Sequence, residues 1–543
     1  MRLLLLPAVL ALAGPLAAQT SPSPVQAPVQ ADAIKEDVRI LSSDAFQGRG
    51  PGERGETMTL AYLKQQFEAA GLQPGGPGGS WFQDVPLVRL DKGALAFAVT
   101  AGTQRLPTQR ARDWSIGVSH EGSASINDAP VMFAGFGIHA PELGWDDYAG
   151  ADVRGKVVLI LPNDPDFDQA TGPFGGRQRS RYAGGKARAA FDRGAVAVIQ
   201  IHRQALTSWP WQQIWNSDAN PTFRLASAPT PTDPARLTGY VTGDLAAAML
   251  SRGGLDLESL IKQAQQPGFR ARAVPGVSVS ASASATASPM ITRNIIARLD
   301  GTTRAAETII FGAHWDAYGV GPADATGDTI RNGAVDNAVG TATLLEVARA
   351  FARGARPART LLFIGYTSEE DGLLGAYHYV ANPVRPLETT AAVFNLDPHL
   401  ALPATRSVEL IGAGRIDLED DLTRLGSAQG RRIEPEVAPE AGWYQRSDHY
   451  AFAQAGVPSL YFRAGRDLAD GGRADDVVEQ YNAQCYHQRC DEFQQSWDMT
   501  AAAQDGALVH ALATELANTG RWPQWRSTSE FAAARAKSDA RRR

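Results

Sequence analysis

The run Thr308-Ile309-Ile310-Phe311-Gly312-Ala313-His314-Trp315-Asp316 reads as a buried strand that ends on a histidine and an aspartate. Its apolar centre, followed at once by glycine and polar residues, is the pattern of a strand covered on both faces, as in parallel sheets. Outward from it, residues 295–299, 360–365, 391–396 and 458–462 repeat that pattern, and helical spacing is found at 341–352, 450–455 and 499–517. The alternation predicts an open, mainly parallel mixed α/β sheet flanked by helices. Such sheets bind ligands at the loops that follow the strand C-termini.

Metal-binding residue types collect at those loops. His314 and Asp316 follow the first strand, Asp336 leads into the helix at 341, Glu369 and Glu370 follow 360–365, and Asp397 closes 391–396. His487 is a further candidate near the C-terminus. Taken singly, each has a plainer role: Asp336 as a helix cap, Glu369-Glu370-Asp371 as an acidic turn, His487 as a surface histidine. Taken together, the imidazoles of His314 and His487 and the carboxylates of Asp336, Glu370 and Asp397 are a mixed N/O set that zinc accepts, with positions left for water. One shared carboxylate would hold two ions about 3.5–4 Å apart. Adjacent residues at a strand end point to different sides, so Glu369 is left to take a proton from an attacking water.

On these residues the chain resembles the di-zinc aminopeptidase family that also contains glutamate carboxypeptidase, in its secreted bacterial form with an inserted protease-associated domain. The matching motifs are His314-x-Asp316, Asp336-Asn337, Glu369-Glu370, Asn395-Leu396-Asp397, Ser447-Asp448-His449 and Tyr486-His487, with an early Gly48-Arg49-Gly50 loop and Gly144-Trp145-Asp146-Asp147-Tyr148. The resemblance implies two Zn²⁺ per chain, one held by His314, Asp336 and Asp397 and the other by Asp336, Glu370 and His487. It implies Glu369 as base, Asp316 as acceptor of the second ring proton of His314, and Tyr486 as hydrogen-bond donor to the oxyanion. The activity implied is removal of N-terminal residues from peptides through a water bridging the ions. A carboxypeptidase of the glutamate type, a glutaminyl cyclase and a catalytically inactive binding protein are the alternatives. His399, where many relatives carry an apolar residue, is read as a pocket-edge or structural residue. His449 is read as a residue supporting the ligands from behind or as a helix start, with Ser447 or Asp448 as its cap.

Length and composition frame this reading. At 543 residues the chain exceeds what one core fills, so more than one domain is expected. The boundaries expected are a signal peptide at 1–18, a Pro-rich mature N-terminus at 19–32, a zinc-peptidase domain at 33–125 and 277–520, an inserted β-rich protease-associated domain at 126–276, and a charged tail at 521–543. Segment 277–288, with its Ser/Ala alternation, reads equally as linker or edge strand. The apolar run after Arg2 is too short to span a bilayer and predicts a periplasmic or secreted protein, free of the membrane once cleaved. A net charge of −6 without a basic groove-reading element points away from nucleic acid and leaves peptides as the expected partner. Cys485 and Cys490 are the only cysteines and are expected to pair in an oxidising compartment.

Overall fold

A computed structural model describes residues 28–542 except 179, 208–209, 215–219, 230–232, 325 and 398–399. The signal peptide and His399 lie outside the described residues, as does most of the Pro-rich stretch. The strands that carry the candidate ligands are β1 (Arg272–Leu299), β2 (Arg304–His314), β3 (Arg359–Tyr366), β4 (Thr390–Asn395), β5 (Ser407–Leu410), β6 (Arg432–Pro435) and β7 (Ser459–Ala464). In space they run β1-β3-β2-β4-β7-β5-β6. The central four, β3, β2, β4 and β7, are parallel. A mixed sheet with a parallel centre is therefore what the apolar runs form, because both faces are covered. Helices α1 (Ala31–Leu41), α2 (Arg54–Ala69), α3 (Gly340–Arg353) and α4 (Thr500–Ala517) share one core cluster with the sheet.

The register of the central strands is fixed by aromatic side chains. Phe311 of β2 stacks on Phe363 of β3 at 4.8 Å and on Phe394 of β4 at 5.6 Å, and Phe351 of α3 closes over it at 5.5 Å. Each such pair adds about 0.5–1.5 kcal/mol beyond burial, and a slip of one residue would turn all three rings to the opposite face. The register that results pairs His314 with Tyr366 and Gly312 with Asn395. His314, the turn after Tyr366 and Asp397 thus emerge along one edge.

Segment 277–288 is neither linker nor edge strand. It belongs to the 28-residue strand β1, which pairs with Ala96–Ala101 and Gly122–Phe133 in its first half and with Phe82–Lys92 and β3 in its second. The alternation is a true period of two: Val277, Val279, Ala281, Ala283 and Ala285 are buried, and the serines between them are less so. A second core cluster gathers around the parallel strands Gly122–Phe133, Val157–Ile160, Ala197–His202 and Leu237–Thr242. That cluster includes Phe97, Val99, Leu106, Trp114 and Ile116, so this core recruits chain from before residue 126. The segment expected as a charged tail, 521–543, packs part of its length against the core. Trp525 and Phe531 are buried, and α5 (Ala532–Arg542) buries Arg535 while Arg542 lies 3.7 Å from the ring centre of Trp522.

Candidate metal centre

The strand ends and one distant loop bring the five candidate ligands together. His314 Nε2 lies 3.3 Å from Asp336 Oδ1 and 3.3 Å from Asp397 Oδ1. His487 Nε2 lies 3.0 Å from Asp336 Oδ2 and 3.3 Å from Glu370 Oε2. Asp336 therefore turns one oxygen to each histidine. Glu369 Oε2 is 3.9 Å from His314 Nε2. Atoms held about 2.0–2.2 Å from a tetrahedral zinc stand roughly 3.3–3.6 Å from one another, close to the spacings seen here. Glu370 Oε1 is buried without a hydrogen-bond partner, which is a costly state unless a cation meets it. The donor set therefore fits metal.

Local structure explains why these side chains are free to converge. Asp336 does not cap α3: Asn337 Oδ1 accepts from the Gly340 amide at 2.8 Å, and Asn337 Nδ2 donates to the Leu396 carbonyl, tying the start of α3 to the end of β4 beside Asp397. Asp491 accepts the amides of Val335 and Asp336 at 2.8 and 3.0 Å and anchors that loop. Ser447 Oγ donates to Asp397 Oδ2 and receives the Asn395 amide. Neither Ser447 nor Asp448 caps the next helix by its side chain. Asp448 is buried with both carboxylate oxygens unpartnered, and His449 is buried between the rings of Tyr444 and Tyr461.

Asp316 differs from expectation. Its carboxylate accepts the amides of Glu369 and Glu370 at 3.1 and 3.4 Å and stands 3.8 Å from His314 Nδ1. The ring is oriented by the Asp316 main-chain carbonyl instead, 3.1 Å from Nδ1. A carbonyl only accepts, so Nδ1 carries the proton and Nε2 offers its lone pair to the cluster. The carboxylate is drawn away because two amides in the turn after β3 need an acceptor once buried. It thereby aims Glu369 and Glu370.

Sequence reasoning missed Tyr318. Its hydroxyl lies 2.9 Å from His487 Nδ1. With Nδ1 as the donor to this hydroxyl, Nε2 of His487 is left free to face Asp336 and Glu370. The only sequence signal was its place two residues after Asp316. Replacing Tyr318 with phenylalanine is expected to weaken zinc affinity about 10–100-fold, as read by competition with a chromogenic chelator. Arg49, from the Gly48-Arg49-Gly50 loop, was also missed as a site-building residue. Buried, it donates to the carbonyls of Leu41, Trp315, Asn332 and Gly333, fastening the loops before Asp316 and before Asp336 to each other.

The electrostatics follow from burial. Glu369 and Glu370 are pushed well above the usual carboxylate range by burial and by neighbouring acids, Asp397 for the first and Asp336 for the second. Burial disfavours charge on His314 as well, but Glu369, Asp397 and Asp336 outweigh it and raise the imidazole. Asp336 is held below its ordinary value, against burial, by the two histidines. Such opposed shifts arise where several acids and two imidazoles are packed together out of water. Cys485 and Cys490 form a disulfide that closes the short loop containing His487. Tyr486 packs on His487 with ring centres 3.7 Å apart.

The fold and the cluster define a class, α/β proteins with a histidine–carboxylate metal centre at the ends of parallel strands. Residues 294–512 match the model of Peptidase family M28. Among solved structures, the chain is similar to an aminopeptidase from Aneurinibacillus sp. strain AM-1, with 19% identity, a TM-score of 0.57, and 91% of this chain and 96% of that chain covered. It is also similar to a zinc aminopeptidase from Bacillus subtilis, with 18% identity, a TM-score of 0.51, and coverage of 93% and 98%. A probable zinc metalloprotease of Pyrenophora tritici-repentis is 37% identical over 109 residues, or 20% of this chain and 24% of that protein. The chain thus spans about a quarter of the length of that curated relative.

Proposed function

We propose that this protein is an exported di-zinc aminopeptidase. The single observation that carries the reading is the placement of Asp336, with Oδ1 facing His314 and Oδ2 facing His487, as a carboxylate shared by two ions requires. His314, Asp336 and Asp397 would hold one zinc, and Asp336, Glu370 and His487 the other. When bound, the ions supply Lewis acidity, making a water acidic enough to ionise near neutral pH and polarising the scissile carbonyl. Glu369, whose carboxyl reaches the same centre, takes the proton of the attacking water and returns it to the leaving amine. Tyr486 is assigned as hydrogen-bond donor to the developing oxyanion, and Asp316 as the residue that aims Glu369 and Glu370. The complete double ligand set supports hydrolysis over single-zinc cyclisation or an inactive binder. Residues 126–276 are proposed as a protease-associated insert walling the cleft, and export by the N-terminal apolar run remains part of this reading. Among the described residues no helix is long and apolar enough to cross a membrane.

Elemental analysis of the purified protein together with an aminoacyl chromogenic substrate tests the reading. About two zinc ions per chain are expected, with hydrolysis lost on chelation and restored by zinc. Protein that takes up no zinc and still cleaves, or takes up two and cleaves no peptide, refutes it.

A further inference from the structure

A cavity of about 820 Å³ lies between the inserted unit and the strand ends, and Tyr318, Glu369, Glu370, Tyr486 and His487 line one end of it. The cations along its wall are Lys92, Lys186 and Arg446. Lys186 is committed to the carbonyls of Leu161 and Asn163, and Lys92 is also partnered. Arg446 differs from both. Its Nη2 donates to the Tyr486 hydroxyl at 3.1 Å, and its guanidinium lies 5.2 Å from the ring centre of Trp443 and 5.9 Å from that of Tyr486. Among the described residues no carboxylate pairs with it. Glu369 and Glu370 act on it only through space and, with Tyr486, hold it firmly protonated against burial.

An arginine carries five N–H donors in a planar fork, and Tyr486 takes one. The remaining donors, flanked by aromatic rings, are preorganised for a planar two-oxygen anion. We propose that Arg446 receives the α-carboxylate of the residue directly after the scissile bond, which makes dipeptides the preferred substrate class. This rests on the peptidase reading and names the substrate of the same site. The spacing fits: a carbonyl bound at the cluster lies against Tyr486, the neighbour of His487, and the next α-carboxylate follows one residue, about 3.8 Å of backbone, further on. Arg446 stands one hydrogen bond beyond Tyr486. A longer peptide carries an amide at that point and offers the fork a neutral partner.

The test is binding of Ala-Leu and of its C-terminal amide to the zinc-loaded Glu369→Gln protein, measured by titration calorimetry. The acid is expected to bind at least about tenfold tighter than the amide. Adding Arg446→Met is expected to bring that ratio to within about twofold of unity, and adding Arg446→Lys to retain part of it, since the charge stays but the fork is lost. Equal binding of acid and amide by the Glu369→Gln protein overturns the proposal, and this comparison decides alone if the arginine variants do not fold. A ratio that survives Arg446→Met overturns it too. Acid-selective binding in a zinc-loaded wild type that hydrolyses neither peptide removes the peptidase reading and leaves the receptor standing.

Discussion

Glu369→Gln is expected to lower kcat by about 10²- to 10⁴-fold while zinc content stays at the wild-type value, because a positioned general base contributes on that scale and the amide is nearly isosteric. Glu369 stands 3.9 Å from His314, further than Asp336 or Asp397, each at 3.3 Å. It therefore reaches the centre without completing the tightest contacts. Burial raises its carboxyl well above the ordinary range, and cations held beside it would draw it back down, so that it could both accept and release a proton. Steady-state kinetics and metal analysis on the same preparation check the result. Loss of zinc along with activity would make Glu369 a ligand instead, and undiminished kcat would remove it from the mechanism.

Asp336→Ala is expected to do more damage to the metals than any other single change. The two oxygens face different histidines, so truncation takes a donor from both proposed ions and also leaves the acids around the cluster without the cations that balance them. Zinc content falls from two to below one per chain, and hydrolysis drops below detection, a larger loss than the roughly 10–100-fold expected for a residue that only orients a ligand. Asp397→Ala serves as the contrast, since it faces His314 alone and should spare the ion between His487 and Glu370. Metal analysis after dialysis against dilute zinc separates the two variants. Equal zinc content in both would contradict the sharing of Asp336.

The parts of this structure that were legible in the sequence are those governed by short-range pattern. The apolar runs around Phe311, Phe363 and Phe394 announce parallel strands because a strand buried on both faces cannot hide its composition. The polar residues that follow them announce the site because the strand ends face one way. What escaped was set by contacts distant in sequence. Asp316 was read as the partner of His314, but its carboxylate serves two amides in the turn after another strand. Tyr318 and Asp491 give no pattern signal, since each acts through hydrogen bonds to residues more than 150 positions away. The serine and alanine alternation of 277–288 was ambiguous for a different reason. Small side chains show a period of two without the apolar contrast that separates a sheet interior from a tether.

That same segment has a consequence for how the molecule can be taken apart. Because β1 runs unbroken from Arg272 to Leu299 and hydrogen-bonds to both halves, it is no limp joint at which the two could swing as separate bodies. Swinging would have to shear a ladder. Either half produced alone would display a long bare row of amides and carbonyls, an invitation for its own copies to stack edge to edge. The two halves are therefore expected to be recoverable in well-behaved form only as one piece.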